Sequence, residues 1–164
     1  MIREPTRPMK ATASHGSLSG DRLLIVDDDP AFGALLERVA RSKGFQAQWY
    51  PSLVEMGSFA RIRDFDLAIV DYYLDCLKGD EIAEYVDTFF SDLPVIICSA
   101  EDFSANGGRR WPASVRAFHP KISGAGRIIE AAREILDRRR FLKRLAGEWD
   151  GVATGESIIT DAPA

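Results

Sequence analysis

Apolar residues recur along this chain in two periods, and the alternation of the two predicts the architecture. Leu23, Leu24, Ile25 and Val26 form a continuous apolar run closed by Asp27, Asp28 and Asp29, as expected of a first strand covered on both faces. Asp29 then reads as the cap of a helix with Pro30 at its first position; Phe32, Leu35, Leu36 and Val39 recur at helical spacing until Gly44. Phe45, Ala47 and Trp49 predict a second strand, and Ser52 with Glu55 reads as a capping box for a second helix over Leu53–Ala60. Leu67–Val70 is a third buried run, ending in Asp71. Past Gly79, a helix carries Ile82, Ala83, Tyr85, Val86 and Phe89. Pro94 precedes a fourth strand, Val95–Cys98, closed by Ser99. Asn106, Gly107, Gly108 and Pro112 make any fourth helix over 102–112 short or irregular. Val115–Phe118 is a fifth strand, and Ile128, Ile129, Ala132, Ile135, Leu136, Leu142 and Leu145 line one face of a long last helix.

Five strands alternating with helices imply an α/β, doubly wound parallel sheet with right-handed crossovers and helices on both faces. Residues 1–20 are rich in Pro, Ser, Thr and Gly, poor in large apolar groups, and read as a disordered leader. Residues 21–146 make the folded domain, and 147–164 read as a flexible C-terminal tail. With 164 residues, the chain has room for one compact domain and little more.

Composition narrows the function classes. A formal net charge of −4 gives no global attraction to polyanions, so no nucleic acid is expected as a partner. Cys76 and Cys98 lie apart in apolar surroundings, with neither disulfide-framework nor zinc spacing. No apolar run approaches the ~20 residues of a membrane span, which with the cysteines points to a cytoplasmic protein without a membrane partner.

The chemistry sits at the strand ends. In a doubly wound sheet, ligands lie beyond the carboxyl ends of the strands where the strand order reverses; for the order 2-1-3-4-5 that point is between strands one and three. Asp27, Asp28 and Asp71 end those two strands, and like charges about 4 Å apart repel by ~4 kcal/mol at an effective dielectric of 20. A hard divalent cation offsets this, and Mg2+ favours one or two carboxylates together with water and a phosphate oxygen. Ser99 ends strand four with a hydroxyl donor, and Lys121 follows strand five with a compact positive charge. A carboxylate so surrounded can attack phosphorus to give an aspartyl phosphate.

The set Val26-Asp27-Asp28, Val70-Asp71, Ser99-Ala100 and Pro120-Lys121, each at a strand end, resembles the response-regulator receiver family over roughly Arg22 to Leu136. The resemblance implies a flavodoxin-like fold and a two-component phosphorelay role, in which a histidine kinase or histidine phosphotransfer protein phosphorylates Asp71. It further implies that Asp28 and Asp71 ligate Mg2+ directly, that Asp27 helps through water, and that the Tyr73 carbonyl is a ligand. Ser99 matches the switch hydroxyl, Lys121 the phosphate-contacting lysine, Gly79 the glycine after the acceptor loop, and Phe118 the aromatic whose rotamer follows phosphorylation. Such a module is a phosphoacceptor rather than an enzyme, apart from promoting its own phosphorylation and dephosphorylation. It signals by changing shape for a downstream protein target, and a homodimer stays open. The sequence departs from the family at Ile122 and Asp75, where prolines are usual, and over Asn106–Pro112, which alters a helix of the family's output surface.

Other residues read more plainly. Asp29 is a helix cap, Asp64 and Asp66 are surface groups at the far end of strand three, and His15 and His119 lack partners at catalytic or metal spacing. Trp49, Tyr50, Phe89 and Phe90 fit packing better than base stacking. Arg138, Arg139, Arg140, Lys143 and Arg144 suit a helix C-terminus through the macrodipole, with an interaction surface or weak phosphate-backbone contact as the other readings. Two further functions stay open: a non-phosphorylated receiver-like adaptor or dimerisation module, and a haloacid-dehalogenase-type phosphatase. Asp27 and Asp29 have the spacing of the latter, but Ala31 stands where its hydroxyl residue belongs.

Overall fold

The computed structural model describes residues 20–74, 77–90, 92–101 and 110–152, with side chains as far as residue 147. Five parallel strands, β1 (Arg22–Val26), β2 (Gln46–Tyr50), β3 (Leu67–Asp71), β4 (Val95–Ser99) and β5 (Val115–Pro120), pair in the order β2-β1-β3-β4-β5. Three α-helices accompany them among the described residues: α1 (Pro30–Ser42), α2 (Gly79–Phe89) and α3 (Ala125–Val152). The doubly wound α/β expectation holds, including the strand order.

Alternation along the strands builds two cores. Leu23, Ile25, Leu67, Ile69, Ile96 and Cys98 point to one face, where Leu36 and Ala40 of α1 and Ile128, Ile129, Ala132 and Leu136 of α3 cover them. Leu24, Val26, Val70, Val95 and Ile97 point to the other, against Ile82, Ala83 and Val86 of α2. Both faces of the three central strands are therefore dry, which is why those strands read as unbroken apolar runs.

Three expectations change. No second helix forms over Leu53–Ala60. The Ser52 hydroxyl does accept from the Glu55 amide at 3.3 Å, half of a capping box. Gly57 then takes a left-handed φ of 82° and breaks the turn, and Ser58 caps a short 3-10 turn over Phe59–Asp64. Leu53, Met56 and Ile62 still plug the second core from this irregular segment. Secondly, α3 continues past Gly147 to Val152. Leu142, which continues the row of Ile135, is 54% exposed because the helix has outrun the sheet. Leu145, expected on the same face, is 47% exposed because at ~100° per residue it stands on the opposite side of the helix from Leu136. Thirdly, Asp66 is half-buried and its carboxylate accepts from the Arg22 amide at 2.8 Å, tying down the start of β1, whereas Asp64 is exposed as expected.

The longer α3 also removes the macrodipole reading of its basic residues, which lie well before its last turn. Ion pairs hold several of them instead: Arg139 and Lys143 reach Asp92, and Arg140 reaches Asp21 and Asp137. The 1–20 leader up to residue 19, His15, Asp75, Cys76, residues 102–109 of the irregular segment and the tail from 153 lie outside the described residues.

Between β4 and β5, the chain re-enters the described structure at Arg110, and α2 anchors it there. The Asp87 carboxylate accepts from the amides of Ala113 and Ser114 at 2.7 and 2.6 Å, and the Ser114 hydroxyl donates to the Ala83 carbonyl. No helix among the described residues is long and apolar enough to cross a membrane.

Candidate functional site

The site is built by the parallel sheet itself. Registering Val26 of β1 beside Val70 of β3 brings the next residues of both strands to the same edge. Asp27, Asp28 and Asp71 each offer a carboxylate oxygen there, all within 4.8 Å of one another. Asp71 is level with Cys98 of β4, so Ser99 lies one residue further along, and Ser99 is level with Pro120 of β5, which delivers Lys121. The sequence-predicted groups at four strand ends are thus gathered at one edge of the sheet.

Lys121 spans the acidic cluster. Its Nζ donates to Asp71 Oδ2 at 2.7 Å and to Asp27 Oδ1 at 2.9 Å, and it lies 5.1 Å from the centroid of the Phe32 ring. Burial disfavours the ammonium, but hydrogen bonding and attraction to Asp71 and Asp27 outweigh it and raise the Lys121 pKa. Asp27, buried on the sheet edge, is pushed up from 3.8 to about 6. Desolvation is the main cause and the Asp71 charge adds to it, against the opposing pull of Lys121 and the Asp29 amide. Asp28 is exposed at the mouth.

One ammonium offsets one of three carboxylates and leaves two negative charges in a partly dry site. That surplus, presented by hard oxygen donors, fits a divalent cation such as Mg2+. Asp29 is not among the donors: its carboxylate accepts from the amides of Ala31 and Phe32 and caps α1, as expected, which removes the second carboxylate a dehalogenase-type site would need.

Around this centre, the Ser99 hydroxyl is fully buried and accepts from the Glu101 amide at 3.1 Å. The Tyr73 amide approaches Asp71 Oδ1 at 3.4 Å and its phenol donates to Glu101 Oε2 at 3.1 Å, which links the segments after β3 and β4. Phe118 is half-buried and stacks on Trp111 at 5.9 Å between centroids and 15° between planes. Tyr72 meets both Tyr73 and Trp111 edge-on, so aromatic rings run from the loop after Asp71 to β5. His119 is half-buried, with a pKa lowered by desolvation and by Arg127.

The sequence reading missed the Asp27 brace. The indole Nε1 of Trp49 donates to the Asp27 carbonyl at 2.8 Å, and the ring lies so close to α1 that a Cβ on Gly33 would sit 2.1 Å from that nitrogen. A glycine amid the apolar positions of α1 was the available signal, since it concedes helix propensity for close approach. Gly79 is a second such place: its Cβ would come within 2.9 Å of the Asp71 carbonyl oxygen and 3.1 Å of Tyr72 Cα.

Residues 23–133 match the family described as the response regulator receiver domain. The transcriptional regulatory protein RprY of Bacteroides fragilis is 30% identical over 81 residues, 49% of this chain and 34% of that protein. The chain spans about a third of the length of the curated relatives it matches. Among solved structures, a CheY-like response regulator receiver domain protein from Methanospirillum hungatei is 25% identical with a TM-score of 0.62, over 74% of this chain and 98% of that one. The response regulator TrrA from Thermotoga maritima, in complex with Mg2+ and beryllofluoride, shares the fold at 19% identity and a TM-score of 0.59, over 70% of this chain and 97% of that one. The family match, the strand order and the acidic edge agree, and the chain belongs to the response regulator receiver domains of two-component signalling.

Proposed function

We propose that this receiver takes a phosphoryl group on Asp71 from a histidine kinase or histidine phosphotransfer protein in the cytoplasm, and relays it as a change of shape to a protein partner. The observation that carries the proposal is the cluster of three carboxylates within 4.8 Å with Lys121 bridging two of them. Asp27, Asp28, Asp71 and the Tyr73 carbonyl are the proposed holders of Mg2+, which when bound supplies positive charge to the oxygens of the transferring group. TrrA was solved with Mg2+ and beryllofluoride.

The chain's own residues then divide the work. An Asp71 carboxylate oxygen forms the bond to phosphorus as the bond from phosphorus to the donor's imidazole nitrogen breaks, and that nitrogen keeps the electron pair. Lys121, already hydrogen-bonded to Asp71, follows the charge onto the phosphoryl oxygens. The Ser99 hydroxyl, which donates no hydrogen bond to a described residue, is free to turn its proton toward the same group. Phe118, packed on Trp111, is the proposed switch aromatic, and its movement exposes or withdraws the partner surface.

Incubation with acetyl phosphate, with and without Mg2+, followed by intact mass, tests the proposal. One metal-dependent phosphoryl adduct in the wild type, absent in Asp71→Asn, is expected. No adduct with any small donor or kinase would refute phosphorylation and leave a receiver-like adaptor.

A further inference from the structure

The far end of the molecule, away from the acidic edge, carries a groove of about 690 Å³ between the start of β5 and the second half of α3. Its floor is apolar, formed by Val115, Ile135 and Leu142, and its rim is cationic, with Arg116, Arg138 and Lys143. The β4–β5 register slips beside Val95, where Val95 pairs with Val115 and Ile96 with Ala117, so Arg116 is the bulged residue and is exposed. Asp92, the acid at the rim, is already held by Arg139 at 3.1 Å and Lys143 at 3.4 Å. Arg116 and Arg138 have no ion-pair partner among the described residues. The groove therefore asks for a segment with apolar anchors and carboxylates beside them. The same rim makes self-pairing of this face unfavourable, because two copies would oppose like charges.

The chain carries one such segment a few residues beyond α3. Glu156, Ile158, Ile159 and Asp161 set two large apolar side chains between two acids, and no Lys or Arg occurs after Val152. The reach is sufficient. Leu142 lies ten residues before Val152, roughly 15 Å along the helix axis, while the six residues from Val152 to Ile158 span up to roughly 20 Å when extended. We propose that residues 156–161 turn back along α3 and seat Ile158 or Ile159 on Val115, Ile135 and Leu142, with Glu156 and Asp161 facing Arg116, Arg138 and Lys143. A short tether confers a millimolar effective concentration, so a contact too weak to hold a separate peptide suffices here.

The test is paramagnetic relaxation in the full chain, with a spin label on Ser157→Cys in a Cys76→Ser background; Cys98 is fully buried and escapes labelling. The amide signals of Val115, Arg116, Leu142 and Lys143 are expected to lose most of their height, because the broadening falls with the sixth power of distance and a contact occupied only part of the time already removes the signal of amides beside the label. The loss should be relieved by Ile158→Asp with Ile159→Asp, and separately by Arg138→Glu. Attenuation that persists undiminished in those variants is the footprint of the tether alone and overturns the proposal, as does no attenuation at all. Attenuation that appears only when labelled and isotope-enriched chains are mixed puts the segment on a second copy and also overturns it.

Discussion

The raised pKa of Asp27 makes a prediction about stability that can be separated from phosphorylation. Its folded pKa of about 6 lies above the unfolded 3.8, so the folded chain binds this proton more tightly. The ionised carboxylate therefore opposes folding above about pH 6; the penalty shrinks as pH falls toward 3.8 and is absent below it. Two units at ~1.36 kcal/mol each set a ceiling near 3 kcal/mol. The site opens to water beside Asp28, and solvent screening brings the expected value to about 1–2 kcal/mol. Asp27→Asn removes the charge and keeps an acceptor for Lys121 and for the Asp29 amide, which donates at 3.0 Å. Without divalent cations at pH 7.5, this variant should unfold about 3–8 °C above the wild type. The gap should close as the pH is taken to 4, where Asp27 is protonated in the folded wild type and is as uncharged as the asparagine. Thermal denaturation followed by circular dichroism at pH 7.5, 5 and 4 measures this directly. A variant no more stable than wild type at pH 7.5, or a gap that does not narrow in acid, refutes the reading of Asp27 as a desolvated and unfavourable charge.

Other outcomes follow from the same geometry. Mg2+ at a hundredfold excess over its dissociation constant should stabilise the wild type by about 2.7 kcal/mol in urea titration, and Asp71→Asn should lose most of that gain. Gly33→Ala drives a methyl group into the Trp49 ring, so it should cost about 1–3 kcal/mol and shift the indole fluorescence as the bond to the Asp27 carbonyl breaks. Asp87→Ala leaves the amides of Ala113 and Ser114 without their acceptor and should cost about 1–3 kcal/mol, with faster hydrogen exchange confined at first to the start of β5. Gly79→Ala presses on the Asp71 carbonyl, and a fall in the acetyl-phosphate labelling rate larger than its loss of stability is expected.

What the sequence made legible was what strand burial and strand ends decide. Val26 and Val70 have to be inside, a parallel sheet has to put the residues after them on one edge, and the repulsion among Asp27, Asp28 and Asp71 then points to a cation and a phosphate. The failures fall where a local signal met a tertiary constraint it could not report. Ser52 and Glu55 have the pattern of a helix start, and their hydrogen bond forms, but Gly57 turns the chain and the burial of Leu53 and Met56 is satisfied without a helix. Leu142 keeps helical spacing with Ile135, yet periodicity states only which face they share; how far the sheet extends beneath α3 is a property of the whole fold, and β5 begins too late to cover it. Leu145 stands on the opposite side of the helix from Leu136 and never belonged to that face. The basic run 138–144 is read by its distance from a helix end, so moving that end to Val152 changes its meaning from dipole complement to ion pairs and groove rim. The Trp49 brace shows the opposite case: a glycine that weakens α1 is explained only when the ring that replaces its side chain is seen, and that ring holds the backbone of Asp27. Helix propensity at Gly33 has thus been exchanged for the fixed position of one carboxylate, which is where a site that must gather three like charges has most need of rigid support.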